Sequence, residues 1–425
     1  MLMPMQATSQ PAVKASADTR RWGILGLLVT GIIIAYVVRE NFSVALATKD
    51  FTSLFGLTDT DRGGLNSAFY WSYAFLQIPA GWLVDRYGVK IPYALSFFLW
   101  SLMSAGTSLA GSARELYAMR FFLGVGESVA TPASLRWIRF HFKEKERGLA
   151  IGLHMAGTKL GPAIGAWVAV RLLVSSGWKA MFLILGLGSL LWLIPWLLLV
   201  ENDDREIEKA AKANDRRADV SFARLMASPV IWGTIVGTFC YMYFVYFCMT
   251  WMPSYFVERR HLSLKSMGAY TAFSFAGMAA VSALAGWAAD RIIARGGDPV
   301  GVRKAFTIAG FLIASTEVIG ALSDSIPVAL FFAVFSLSGL GLATANYWAL
   351  TQTLIPGGAI GRIVGIQNCA ANLPGIAAPI LTAWLKQKTG SYDAPMQAIW
   401  FFLLLGVAAY VFLVREKYAP KESSL

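Results

Sequence analysis

The stretch MRFFLGVGES at Met119–Ser128 places an arginine, Arg120, and a carboxylate, Glu127, within an otherwise apolar run from about Leu116 to Phe140. Their spacing is close to two helical turns, so both side chains fall on one face, about 10 Å apart along the axis. Gly124 and Gly126 between them thin the helix and let a neighbour or a ligand approach. A second charged spot, YVVRENFSVAL at Tyr36–Leu46, carries Arg39 and Glu40, which as helix neighbours point to different faces. A third, GTKLGPAIG at Gly157–Gly165, carries Lys159. A planar guanidinium offers paired donors to a carboxylate, and two of them over-satisfy one acid group. A carboxyl group beside an arginine can take up a proton when an anion arrives and give it back when the anion leaves. The chemistry these residues suggest is anion binding linked to proton movement. The bland alternative is a buried Arg–Glu pair that fixes one helix against another.

These charges sit in a chain of 425 residues that is 56% hydrophobic and 15% charged, with mean hydropathy +0.54. A soluble protein of this size carries about 25% charged residues. The deficit, together with repeated apolar runs near 20 residues, implies an all-α polytopic membrane protein embedded in a lipid bilayer. Twelve transmembrane helices are expected, near 22–47, 63–84, 92–111, 114–140, 148–173 and 178–200, then 229–257, 266–290, 304–323, 326–354, 361–387 and 395–414. They group as a six-helix bundle over 22–200 and another over 229–414. A charged linker at 201–228 joins them, between a tail at 1–21 and a tail at 415–425. The N-terminal stretch is polar and lacks an apolar core, so it reads as a cytoplasmic tail rather than a cleaved signal.

Lys and Arg concentrate on the side that holds both tails, the linker and the Arg136–Arg147 loop, so both termini are expected in the cytoplasm. The net charge of +12 thus speaks for orientation and not for nucleic acid. Charges buried at membrane depth are costly and normally face a cavity. Cys240, Cys248 and Cys369 all lie in apolar segments and imply no disulfide framework or metal cluster. Three scattered histidines without nucleophile or metal-ligand spacing argue against an enzyme.

An internal repeat supports the two-bundle reading. GWLVDRYGVK at Gly81–Lys90 recurs as GWAADRIIAR at Gly286–Arg295, each copy ending the second span of its set of six. With this motif the chain resembles the major facilitator superfamily, whose two six-helix halves are related by a parallel repeat. The resemblance covers essentially the whole chain. It implies a gating role for Asp85, Arg86, Asp290 and Arg291, which in the family latch the outward-facing state.

Within that superfamily the pattern Y-x-x-R-x-N-x-S-V-A of the first span, joined to R-x-x-x-x-x-x-E in the fourth, is similar to the anion:cation symporter family. Trp251, Pro253 and Tyr255 in span 7 and CAANLPGI at Cys369–Ile376 strengthen the likeness. Members include bacterial galactonate, hexuronate and glucarate transporters and the animal sialin and vesicular glutamate transporters. The resemblance implies that Arg39 and Arg120 hold the substrate carboxylate and that Glu127 couples its protonation to transport. Trp348 and Asn368 match binding positions of the sugar-acid relatives. Tyr36, Tyr73, Thr158, Lys159 and Asn372 complete the expected lining. Val38 stands where the sugar-acid symporters have an acid, and Glu40 is the candidate to replace it in proton coupling. Lys159 stands where they tend to have an aromatic. It is either a third positive group for a dicarboxylate or a structural partner of Glu40 or Glu127. His154 is expected to line the exit path, and Glu317 to turn outward.

The function that follows is proton-coupled symport of a small organic anion, with a hexonate or hexuronate as the expected sugar acid, by a monomer in a bacterial inner membrane. No cofactor is implied, since the proton gradient drives accumulation. An organic anion exchanger remains open, as do aromatic acids, dicarboxylates and sialic acid as substrates. Efflux of cationic drugs is disfavoured by two arginines and a lysine.

Overall fold

Why the apolar runs become helices is a matter of backbone bookkeeping, since in lipid every peptide group must be satisfied within its own segment. A computed structural model describes residues 15–142, 144–201, 225–355 and 360–420. The linker from 202 to 224, the two tail ends and the side chain of Asp85 lie outside that description. Among the described residues all regular structure is helical.

The first half comprises α1 (Ala15–Leu46), α2 (Lys49–Leu54), α3 (Asp59–Tyr87), α4 (Lys90–Gly106), α5 (Ala113–Glu127), α6 (Ala130–His141), α7 (Glu144–Ser189) and α8 (Leu193–Leu199). The second comprises α9 (Pro229–Thr250), α10 (Met252–Glu258), α11 (Leu264–Ala294), α12 (Pro299–Ser315), α13 (Glu317–Leu322), α14 (Ile326–Leu354), α15 (Ile360–Thr389) and α16 (Asp393–Ala408). Seven helical stretches among the described residues are long and apolar enough to cross a membrane unaided. One of them, Leu149–Leu199, is 51 residues long. It turns back at Gly177, whose φ of 80° suits a residue without Cβ. It therefore supplies two crossings, the expected fifth and sixth. The second, third, fourth and eleventh crossings are α3, α4, α5 with α6, and α15, which are shorter, interrupted or carry more charge.

Several helices expected to be continuous are interrupted, the seventh at Trp251 between α9 and α10. The fourth span divides after Glu127, at Ser128 and Val129, because Pro132 has no N–H to return to the Ser128 carbonyl. The ninth divides at Thr316 between α12 and α13.

Helix ends carry their own stop and start signals. Thr58 closes a capping box with Asp61 at the head of α3, while Ser112, Ser263 and Asp298 accept backbone N–H groups at the heads of α5, α11 and α12. Around the perimeter large apolar side chains stay exposed, among them Ile78, Leu95, Leu198 and Phe273. On a soluble protein such a belt would aggregate, whereas here it is the surface that lipid covers.

The two halves meet along two seams. In one, α3 packs on α15, with Gly63 against Pro379 and Ala383 and Gly375 against Tyr70. In the other, α7 packs on α11, with Gly268 against Val170. Inside the first half, Gly157, Gly161 and Gly165 form a small-residue stripe on α7 that meets Ile32, Tyr36 and Glu40 of α1. Any Cβ there would overlap α1, so the stripe is what allows the two helices to touch and fixes their register.

Candidate functional site

Arg39 and Glu127 come from helices far apart in sequence and meet in the centre of the first half. Arg39 Nε donates to Glu127 Oε2 at 2.5 Å, with both side chains almost wholly buried. Three rings box the guanidinium: its Cζ lies 4.3 Å from the Tyr36 centroid, 4.5 Å from Tyr73 and 4.7 Å from Phe69. The electron-rich faces offset part of the hydration that burial removes. Arg120 lies near the same phenylalanine, its Cζ 5.0 Å from that centroid and 4.6 Å from that of Phe42. Phe69 is therefore shared by two guanidinium groups.

Local packing accounts for the placement. Gly124 lets α5 approach the Phe69 carbonyl of α3, and Ser72 of α3 donates to the Phe121 carbonyl at 2.6 Å. Ser96 of α4 donates to the Gly126 carbonyl, which holds the end of α5 where Glu127 stands. Arg120 makes a single long hydrogen bond, from Nε to the Leu65 carbonyl at 3.4 Å. Both Nη atoms of Arg39, Nη1 of Arg120 and Oε1 of Glu127 are buried and find no hydrogen-bond partner among the described residues. Buried charged donors are seldom left this way, and three in one place describe a receptor for acceptor oxygens.

The remaining expected residues divide by position. Lys159 Nζ lies over the Tyr241 ring at 5.6 Å and forms no ion pair among the described residues. Its expected alternative as a bridge to Glu40 or Glu127 is thereby corrected: Glu127 is engaged by Arg39, and both Glu40 oxygens are buried without any partner. Glu40 sits against Gly165, turned away from the Arg39 pair. Thr158 spends its hydroxyl on the Met155 carbonyl of its own helix. Asn368 and Asn372 both donate to Gln77 Oε1 of the opposite half, at 2.9 and 3.4 Å. Tyr246 donates to Asn372 Oδ1 at 3.3 Å and packs edge-on against Tyr70 at 4.5 Å. Trp348 lies against Tyr347 at 5.3 Å.

His154 is fully buried with neither ring nitrogen bonded, so it does not line an open path here. Glu317 does not turn outward. It is buried and accepts a hydrogen bond from Ser336 at 2.6 Å, because α13 lies against α14 and leaves no route to water.

At the inner end Asp290 pairs with Arg303 at 2.8 Å within the second half, Arg86 stacks over Trp82 and Tyr87, and Arg291 over Trp287. The outer end holds a network that sequence reasoning missed. Arg62 reaches Asp59 at 3.0 Å and Glu258 at 2.6 Å, Lys386 reaches both of those carboxylates at 2.7 Å, and Tyr392 donates to Glu258. Thr60 also bonds Gln387. Burial pushes the Glu258 carboxyl up, but Arg62 and Lys386 outweigh it and hold it below the usual carboxylate range. Among the described residues, every ion pair joining the two halves lies at this end, so the molecule is closed outside. Its charges had counted only toward orientation. That they alternate in sign between α3, α10 and α15 was the available signal.

The family model of the Major Facilitator Superfamily matches residues 28–379. The chain belongs to that superfamily. It is accordingly a multi-pass membrane transporter and not an enzyme. It is 28% identical over 402 residues to a probable L-galactonate transporter of Escherichia coli, covering 92% of this chain and 88% of the relative. It is 30% identical over 403 residues to a probable sulfoacetate transporter of Cupriavidus necator, covering 92% and 93%. A bacterial homologue of the human lysosomal transporter Spinster superposes with TM-score 0.78 at 18% identity, over 96% of this chain and 99% of the other, which shows the fold.

Proposed function

We propose that this superfamily member carries a small organic anion together with a proton across a bacterial inner membrane by alternating access. The observation that carries the proposal is the buried Arg39–Glu127 pair with unpartnered guanidinium nitrogens beside it. In the empty site Glu127 neutralises Arg39. An arriving carboxylate takes the free donors of Arg39 and Arg120 and competes with Glu127, which is released to bind a proton. Anion and proton together leave the net charge of the site as it was when empty, so empty and loaded carriers cross the same electrostatic barrier on reorienting. A carrier with anion but no proton bears one more negative charge and is held back.

The names of the relatives, an L-galactonate and a sulfoacetate transporter, agree with a small acid as cargo. Tyrosines and amides on the second half, Tyr246 and Asn372 among them, suit hydroxyl groups on such a substrate. Glu40 is the candidate for any second proton, being a buried carboxylate without a partner.

Reconstituted protein tests the coupling. An imposed inward proton gradient is expected to drive accumulation of the anion, and Glu127→Gln is expected to abolish that accumulation while retaining anion exchange across the membrane. Full proton-driven accumulation by the variant would remove Glu127 from the mechanism. Wild-type transport that ignores the pH gradient but is stimulated by internal anion would make the protein an exchanger.

A further inference from the structure

Lys159 is a cation in the middle of the bundle that forms no ion pair among the described residues. Its ammonium reaches from α7 of the first half to the face of Tyr241 on α9 of the second, 5.6 Å from the centroid. Tyr241 is itself fixed, its hydroxyl hydrogen-bonded with Thr344 at 2.7 Å and its ring against Tyr347 at 4.9 Å. A ring face offsets part of the lost hydration but brings no charge. Neither buried acid of the first half serves Lys159, since Glu127 is bound to Arg39 and Glu40 lies farther out against Gly165. An ammonium at membrane depth is costly unless it faces water or an anion.

The glycine stripe gives its level. Gly157 meets Ile32, Gly161 meets Tyr36 and Gly165 meets Glu40, so α1 and α7 run side by side in parallel register. Lys159 accordingly branches from α7 beside residues 33–35 of α1, about 7 Å inward of Arg39 at 1.5 Å per residue. Two positive stations thus stand at different depths of one cleft. The outer one is a pair of guanidinium groups with free donors, and the inner one is a lone ammonium.

We propose that Lys159 forms a second anion subsite and that the transported acid carries two anionic groups, one on Arg39 and Arg120 and the other on Lys159. The proposal rests on the organic-anion function above and narrows its substrate class to short dianions, for which two protons, one on Glu127 and one on Glu40, keep the loaded site at the charge of the empty one. An ammonium is a point charge without fork geometry, so the inner group can be a carboxylate or a sulfonate. A monoanion held at the outer station would leave Lys159 uncompensated.

Length-matched acids decide it. Purified protein in detergent is titrated with succinate against butyrate, glutarate against valerate, D-glucarate against D-gluconate and sulfoacetate against propionate, following the thermal midpoint. At least one dianion is expected to act at about tenfold lower concentration than its monoanionic partner. Lys159→Met is expected to raise that dianion's concentration to the level of the monoanion while leaving the monoanion within about twofold, and Lys159→Arg to keep the preference. The unchanged monoanion response certifies that the variant is folded. Equal or better action of the monoanions on the wild type overturns the subsite, as does equal weakening of both partners by Lys159→Met. If no acid of either kind acts, the organic-anion function itself falls, and the subsite with it.

Discussion

The two halves share a repeat in sequence and a bundle in structure, yet they are furnished differently. The first half holds the intramembrane charges Arg39, Glu40, Arg120, Glu127 and Lys159, four of them with polar atoms that find no partner among the described residues. The second half faces them with rings and amides, and its own buried acid, Glu317, is satisfied by Ser336. A repeat thus supplies two similar scaffolds, of which one carries the buried charges and the other faces them with neutral groups. Rocking between halves then changes access to a site whose electrostatics travel with one rigid body. The asymmetry makes distinct demands on substitutions in each half.

The largest effect is expected at Arg39. Removing one member of a buried pair leaves an uncompensated charge and costs about 3–5 kcal/mol. Arg39→Ala should therefore lower the thermal midpoint of the purified protein and abolish anion binding, while Arg39→Ala with Glu127→Gln should recover stability without recovering binding. A single variant as stable as the wild type would mean that the pair is not buried as described, and the charged half would lose its distinction.

Part of this asymmetry was open to reading in the chain. Apolar runs and the duplicated GWxxDR motif announced twelve crossings in two sets, because helix formation in lipid depends on local composition. The types of Arg39, Arg120 and Glu127 announced anion chemistry. A buried Arg–Glu pair between helices was among the readings, but not which arginine makes it, since helical spacing relates Arg120 to Glu127 and is silent on Arg39, which arrives from α1 through a glycine stripe and an aromatic box. The division of the fourth span after Glu127 turned on Pro132, a single residue inside the apolar run from Leu116 to Phe140. Glu317 was misplaced for a related reason: its burial depends on α14, a helix of its own half whose contact no periodicity in α13 reveals. The outer network escaped because Arg62, Glu258 and Lys386 look in sequence like loop-end charges that set orientation.

That network is where the halves meet on equal terms, with charge contributed from both sides, and it offers a smaller, graded test. The Glu258 carboxyl is held low by Arg62 and Lys386 in the closed form. Its contribution to closure is therefore complete above the ordinary carboxylate value of about 4.3 and is lost as pH falls through the lowered one. With Cys240, Cys248 and Cys369 replaced by serine and a cysteine placed at buried Asn66, labelling by an impermeant maleimide from outside should be slow and unchanged from pH 8 down to pH 5, after correction for thiol ionisation. Glu258→Gln should speed it severalfold at every pH in that range. A rise in the wild type between pH 7 and pH 5 would show that the carboxyl is not held down, whereas an unchanged rate in Glu258→Gln would show that outer closure rests on other contacts.

The smallest effect is expected on the uncharged wall. Tyr246 makes a neutral hydrogen bond of 3.3 Å to Asn372 of its own half and meets Tyr70 of the first half through a ring contact. Tyr246→Phe keeps the ring and deletes only the hydroxyl, which is worth about 0.5–1.5 kcal/mol. Half-saturating anion concentration should then rise by less than about tenfold, with proton-driven accumulation intact and the thermal midpoint little changed. Loss of coupling in this variant would place part of the proton chemistry on the second half and dissolve the division of labour between the two. A modest change in apparent affinity alone would confine that chemistry to the half that carries Arg39 and Glu127, leaving the second half to shape the cleft.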